Sequence, residues 1–265
     1  MSIGKLGLVQ SGKPSCPTLA DLTADATATA SQIAEGATAY VKGVKVTGTM
    51  PTTIDVAETG IKFGYSEFEV IPSVFDFSSV TNSNMMFKSC NNITELDGID
   101  FSNIRISQYM FANCEKLSTV KNLNFQSLIN SQSMFEKCKN LISFSNSIFE
   151  SLVTTVAMFY GCAKLVSVSG INFTNVATPG GMFSGCSSLA HFHNITPISC
   201  SLSFADSPLL DQQDAESSVL GQLADLTGKP SQTITFNTAL QGAISESAIQ
   251  AATDKNWVVN FADNM

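Results

Sequence analysis

The dipeptide Met-Phe recurs at one fixed interval. It stands at Met86-Phe87, Met110-Phe111, Met134-Phe135, Met158-Phe159 and Met182-Phe183, each 24 residues after the last. A cysteine follows each Met by four positions (Cys90, Cys114, Cys138, Cys162, Cys186), and an aliphatic follows three further on (Ile93, Leu117, Leu141, Leu165, Leu189). A second aromatic column, Phe77, Phe101, Phe125, Phe149 and Phe173, keeps the same spacing. Several columns held in register over five units define a repeat architecture, in which one unit cannot bury its apolar face and neighbours must do so.

Each unit has two halves. Met, Cys and the aliphatic lie at i, i+4 and i+7, which predicts one face of a short helical turn. The stretches Leu117 to Phe125 and Leu165 to Phe173 alternate small polar and apolar residues, as a half-buried strand does. The expected fold is therefore an α/β solenoid: a leucine-rich-repeat-like stack of about six coils, each a short helical turn plus a short parallel strand, rising about 4.8 Å per coil.

The M-F-x-x-C-x-x-L unit with its V-x-x-L-x-F tail resembles the BspA-type leucine-rich repeats of bacterial surface proteins, over about residues 66–210. It departs from the commoner repeat, which has an Asn/Cys turn after an L-x-x-L-x-L strand. A further coil is suggested at Ser203 to Leu209, where the step shrinks to 21 residues and the Met and Cys are gone.

Open stacks expose apolar ends, so both must be covered. On the first side, Phe63 to Val74 reads as a degraded unit with Pro72 in its strand. On the other, residues 211–265 read as a small α+β cap: a helix over Ala215 to Leu226, a strand over Thr233 to Phe236, a helix over Ser245 to Asp254 with Ser245 as N-cap, and a strand over Trp257 to Phe261. Residues 1–58 form a third segment, with Asp25 and Gly36 bounding a short helix and a hairpin turning at Lys42-Gly43. The string D-A-T-A-T-A … A-Y-V-K-G-V-K-V-T-G-T-M resembles a module near the ends of tailed-phage fibre, tail-tip and baseplate proteins. Residues 215–262 resemble the ends of similar repeat proteins encoded in phage genomes. The N-terminal segment is poor in large apolar residues. It is expected to order as a homotrimer or by docking on a partner, the alternative being a partly disordered tether. The divisions are thus 1–58, 59–210 and 211–265.

Composition narrows the partners. The chain has 265 residues, is 44% apolar and only 14% charged, and carries a net charge of −8 with Arg105 as its one arginine. Nucleic acid and anionic membranes need clustered Lys/Arg, so neither is an expected partner. No apolar run is long enough to cross a bilayer, and the opening residues lack the apolar core of a secretory signal. The expectation is a soluble protein made in a cytosol.

Function in such a stack is a matter of columns. The outward strand positions read Glu95, Thr119, Ser143, Ser167, His191 and Asp97, Lys121, Ser145, Ser169, His193: acidic, then rich in hydroxyls, then imidazole. These ten residues are the candidate ligand-binding face, suited to sugar or polar protein contacts. The His191/His193 pair supplies two nitrogens where zinc wants four ligands, and no further Cys, Asp or Glu has a spacing that forces it nearby, so no metal site is expected. The five column cysteines, with no Cys-x-x-Cys, read as reduced core residues. P-loop, His-Glu-x-x-His and Gly-x-Ser-x-Gly motifs are absent, so neither an enzyme nor a cofactor is expected. The resemblances imply a virion structural protein of a tailed bacteriophage. It would be attached to other virion proteins through its N-terminal segment and would meet a host-surface glycan or protein with the ladder. A bacterial cell-surface adhesin is the alternative.

Overall fold

The computed structural model describes strands at 37–41, 44–48 and 54–55, residues 63 and 69–71, and the stretches 75–193 and 196–263. The expected helix between Asp25 and Gly36, Cys16 and the strand at Pro72 lie outside the described residues. Strands β1 (Ala37–Val41) and β2 (Val44–Gly48) pair antiparallel with Val41 opposite Val44, the hairpin expected around Lys42-Gly43. Strand β3 (Ile54–Asp55) pairs in parallel with β4 (Phe75–Asp76).

Strands β5 (Glu95–Asp97), β6 (Thr119–Lys121), β7 (Ser143–Ser145), β8 (Ser167–Ser169) and β9 (His191–His193) then form a five-stranded parallel sheet in sequence order. Their register sets Glu95, Thr119, Ser143, Ser167 and His191 side by side. Two further columns of parallel bridges run through Asn82, Ile106, Asn130, Thr154 and Thr178, and through Asp100, Asn124 and Ile148. Parallel-strand sheets with few helices, repeated at this interval, are compatible with a solenoid-like α/β repeat fold.

The Met-Phe-x-x-Cys run is not the helical turn that its spacing predicts. The N–H groups of Met85, Phe87 and Ser89 donate across to the carbonyls of Gln108, Met110 and Ala112 in the next unit, at 2.9, 2.9 and 2.8 Å. Those of Met86, Lys88 and Cys90 close tight turns onto Ser83, Met85 and Phe87 at 3.0, 3.2 and 3.1 Å. An α-helix would use every interior N–H on its own chain and leave none for the neighbour. Stacked units need half of them. The alternation is achieved by left-handed residues four apart: Met85 (φ 58°) and Ser89 (φ 61°), repeated at Tyr109 and Asn113, Ser133 and Lys137, Ala157 and Gly161, Gly181 and Gly185. Each non-glycine residue there costs about 1–2 kcal/mol of backbone energy, offset by the inter-unit hydrogen bonds and the burial they permit. A second left-handed position follows each of β5 to β8, at Gly98, Asn122, Asn146 and Gly170, where Gly and Asn are the residues that tolerate it.

Stacking aligns the columns in the core. Phe63, Phe87, Phe111, Phe135, Phe159 and Phe183 lie ring over ring at 5.1–5.9 Å. The column continues through Phe204 (5.2 Å from Phe183) to Phe236 (5.9 Å further), so the C-terminal unit prolongs the aromatic stack. That unit is a parallel sheet of β10 (Leu202–Phe204), β11 (Gln232–Phe236) and β12 (Trp257–Phe261), in that order. The helix Glu246–Asp254 precedes β12, and the Ser245 side chain accepts from the Ala248 N–H as the expected N-cap. The other helix is displaced from expectation. It starts at Gln212, capped by Asp211, passes through a wide turn at Ala215–Val219 and ends with Leu220–Gln222. Leu223 is extended and bridges Ile198, so the apolar residues beyond Gln222 bury without being helical.

Candidate functional site

Alternation along β5–β9 turns Leu96, Val120, Phe144, Val168 and Phe192 inward, each at most 1% exposed. All ten predicted face residues therefore point outward on adjacent strands, and the sheet brings them into two straight columns.

The two ends of that face are already engaged. Lys121 Nζ lies 2.9 Å from Glu95 Oε1 and 3.3 Å from Asp97 Oδ2. Asn122 Nδ2 donates to Asp97 Oδ1 at 2.8 Å. The Asn122 hydrogen bond, with Lys121 assisting, holds the Asp97 carboxyl below the ordinary range, and the hydrogen bonds to Glu95 and Asp97 raise the Lys121 ammonium. The acidic end predicted from composition is thus an ion-paired cluster. At the centre, the side-chain hydroxyls of Ser143, Ser145, Ser167 and Ser169 make no hydrogen bond among the described residues. These four, with Thr119, are the polar groups left for a ligand. Beside them Ile142 (49% exposed) and Val166 (38%) form an apolar strip outside the ten predicted positions, although aliphatic residues in an outward column are a visible signal.

At the far end, His191 Nδ1 is 3.1 Å from Asp214 Oδ2 and His193 Nδ1 is 3.2 Å from Asp214 Oδ1. The Phe192 N–H also donates to Asp214 Oδ2, at 3.3 Å. The two imidazoles are parallel within 11°, 6.0 Å apart. Asp214 is buried, and its helix start is held by Asp211, whose carboxylate accepts the Gln213 and Asp214 N–H groups at 2.8 and 3.2 Å. One ligand atom from each of His191, His193 and Asp214 lies within 4.8 Å of the others, a donor set able to hold a metal ion. No sequence spacing forces an acid near the histidine pair, yet the fold supplies one in Asp214. Asp214 escapes sequence reasoning because it reaches His191 from 23 residues away, on a helix that starts at Gln212 rather than at Ala215.

A shallow, open depression lies on the C-terminal unit, lined by residues such as Gln213, Glu216, Ser217 and Ser245. The five column cysteines and Cys200 are buried and form no disulfide among the described residues. No helix among the described residues is long and apolar enough to cross a membrane.

A family described as "Mycoplasma protein of unknown function, DUF285" matches residues 63–148, the first part of the repeat region, and its repeats are BspA-like. No curated protein and no solved structure matches the chain. The matched residues span strands β4 to β7 and so cover the first units of the parallel ladder.

Proposed function

We propose that the chain is a leucine-rich-repeat-like solenoid carried on a tailed-bacteriophage particle, as a fibre, tail or other surface appendage component, and that its strand ladder binds a host-surface glycan or protein. One observation carries the binding role: three adjacent strands of the five-stranded parallel sheet hold outward hydroxyls in register, with the four central serines unengaged among the described residues. Rigid strands lose little entropy when such a face is occupied. The resemblance of residues 21–50 and 215–262 to phage modules supports the virion setting, with the N-terminal segment attaching to other virion proteins, as a homotrimer or singly. Binding rather than catalysis fits an open face that encloses no reacting group.

A second reading, a cellular bacterial surface adhesin, is favoured by the match to a family named from Mycoplasma, a cellular organism. Mass spectrometry of purified particles separates the two. Stoichiometric presence in particles is expected; absence from particles with presence in a cell envelope reverses the order. Adsorption of particles carrying Ala at Ser143, Ser145, Ser167 and Ser169, or at Lys121, His191 and His193, is expected to weaken without loss of assembly. Unchanged adsorption in both variants would remove the face assignment.

A further inference from the structure

We propose that His191, His193 and Asp214 form a binding site for a divalent transition-metal ion of the zinc class, which clamps strand β9 to the helix start at Gln212. The donor set is two imidazole nitrogens and one carboxylate, the combination that suits Zn²⁺, Ni²⁺ and Cu²⁺ rather than Ca²⁺ or Mg²⁺. Ligand atoms bound at about 2.0–2.2 Å around a tetrahedral ion stand roughly 3.3–3.6 Å from one another. The two ring nitrogens stand 3.1 and 3.2 Å from Asp214, each from a different carboxylate oxygen, and one ligand atom from each of the three side chains lies within 4.8 Å of the others, so a small closure of the rings brings the set to that spacing.

Burial and charge point the same way. The Asp214 side chain is 10% exposed, and among the described residues no lysine or arginine pairs with it. Its partners are the two ring nitrogens and the Phe192 amide. A buried carboxylate without a fixed cation is costly, and a divalent ion between the three side chains supplies the missing positive charge.

The site is also rigid and open. His191 and His193 are two residues apart on one strand and so project from the same face. Their side chains are 50% and 58% exposed, which leaves an entry path. Three protein ligands leave a fourth position toward solvent, the arrangement of an ion that keeps a water or accepts an external ligand.

The test uses the full chain with Cys16→Ser, so that the thiol outside the described residues does not compete. Chelator-treated protein is titrated with Zn²⁺ by calorimetry and with Co²⁺ by visible absorption. One ion per chain is expected, with a rise in melting temperature and a cobalt d–d band free of thiolate charge transfer. His191→Ala with His193→Ala should weaken binding at least 100-fold. Both rings are exposed and cover Asp214 from the solvent side, so their removal opens its carboxylate to water while the Phe192 N–H is kept, and this double variant is expected to fold whether or not Asp214→Asn does. Wild-type binding no tighter than that of the double variant would overturn the proposal. A thiolate band persisting in the double variant would do the same.

Discussion

The Cys138 thiol donates a hydrogen bond to the carbonyl oxygen of Phe111, one unit back, at 3.1 Å. Phe111 O also accepts the Cys114 N–H at 3.2 Å, so both lone pairs of a buried carbonyl are used. The relationship repeats as Cys114 to Phe87, Cys162 to Phe135 and Cys186 to Phe159, at 3.1–3.2 Å. Cysteine suits the column because it fits a tight interior, is cheap to bury and still offers a weak donor.

Alkaline pH should therefore destabilise the protein. Burial, and then the neighbouring thiols, push Cys114 and Cys138 well above the ordinary thiol range; burial likewise pushes up Cys162 and takes Cys186 to about 12. In the unfolded chain these thiols ionise near pH 8.5. Their folded values are raised, so their stabilising contribution is complete below about pH 8.5 and is lost as pH climbs toward the folded values. Each contributes a loss of about 1.4 kcal/mol per pH unit in that window. Urea melts under reductant should show a steep fall in midpoint from pH 7 to pH 10, and a shallower one in Cys138→Ala. A flat profile would contradict the buried thiol column.

Thr155 marks a flaw in another column. At the equivalent positions the Ser83, Ser107 and Ser131 hydroxyls donate to the carbonyls of Ile106, Asn130 and Thr154, with the Sδ of Met110, Met134 and Met158 also in reach. The Thr155 hydroxyl is buried and has no hydrogen-bond partner among the described residues. Thr155→Val should stabilise by about 1 kcal/mol by removing an unsatisfied donor, whereas Ser131→Ala should destabilise by a similar amount. The opposite signs, read from chemical denaturation, check the assignment.

The columns are legible in the sequence because stacked units place like residues in like surroundings, so Phe, Met and Cys recur. Backbone hydrogen bonding leaves a fainter trace. Met85, Tyr109, Ser133, Ala157 and Gly181 share a left-handed conformation but no side-chain chemistry, so the Met-Phe run reads as a helix. Gly98, Asn122, Asn146 and Gly170 do carry the trace, since Gly and Asn are the residues that accept that conformation most readily. The histidine pair is visible in the sequence and its carboxylate is not, because a contact spanning 23 residues depends on where a helix begins.

Two of those turn positions differ in room. Gly98 (φ 65°) has open space where a Cβ would stand, with nothing within 4 Å, whereas a Cβ at Gly170 (φ 81°) would lie 3.1 Å from the Asn146 backbone nitrogen. Gly98→Ala should cost only the left-handed penalty, about 1 kcal/mol. Gly170→Ala adds a clash with an adjacent backbone and should cost about 2–3 kcal/mol. Equal losses would mean that the units are not packed at this separation.

The central aromatic column should behave as the spine of the stack. Phe135 lies between Phe111 and Phe159 at 5.5 and 5.7 Å, with its ring within 7° of both, and meets the edge of Phe144 at 5.7 Å. Phe135→Ala should cost about 3–5 kcal/mol through the cavity it leaves, and it uncouples units on both sides. At the C-terminal end, Phe261 is half-buried and touches the column from one side, 6.3 Å from Phe236, so Phe261→Ala should cost about 1–2 kcal/mol. Ile148 is 48% exposed, and its replacement by Ala should stay within about 0.5 kcal/mol. In a stack of nearest-neighbour units the central lesion should also broaden the urea transition, because the two halves then unfold with separate midpoints. A Phe135→Ala protein that melts in one sharp transition near the wild-type midpoint would show that the rings do not couple the units.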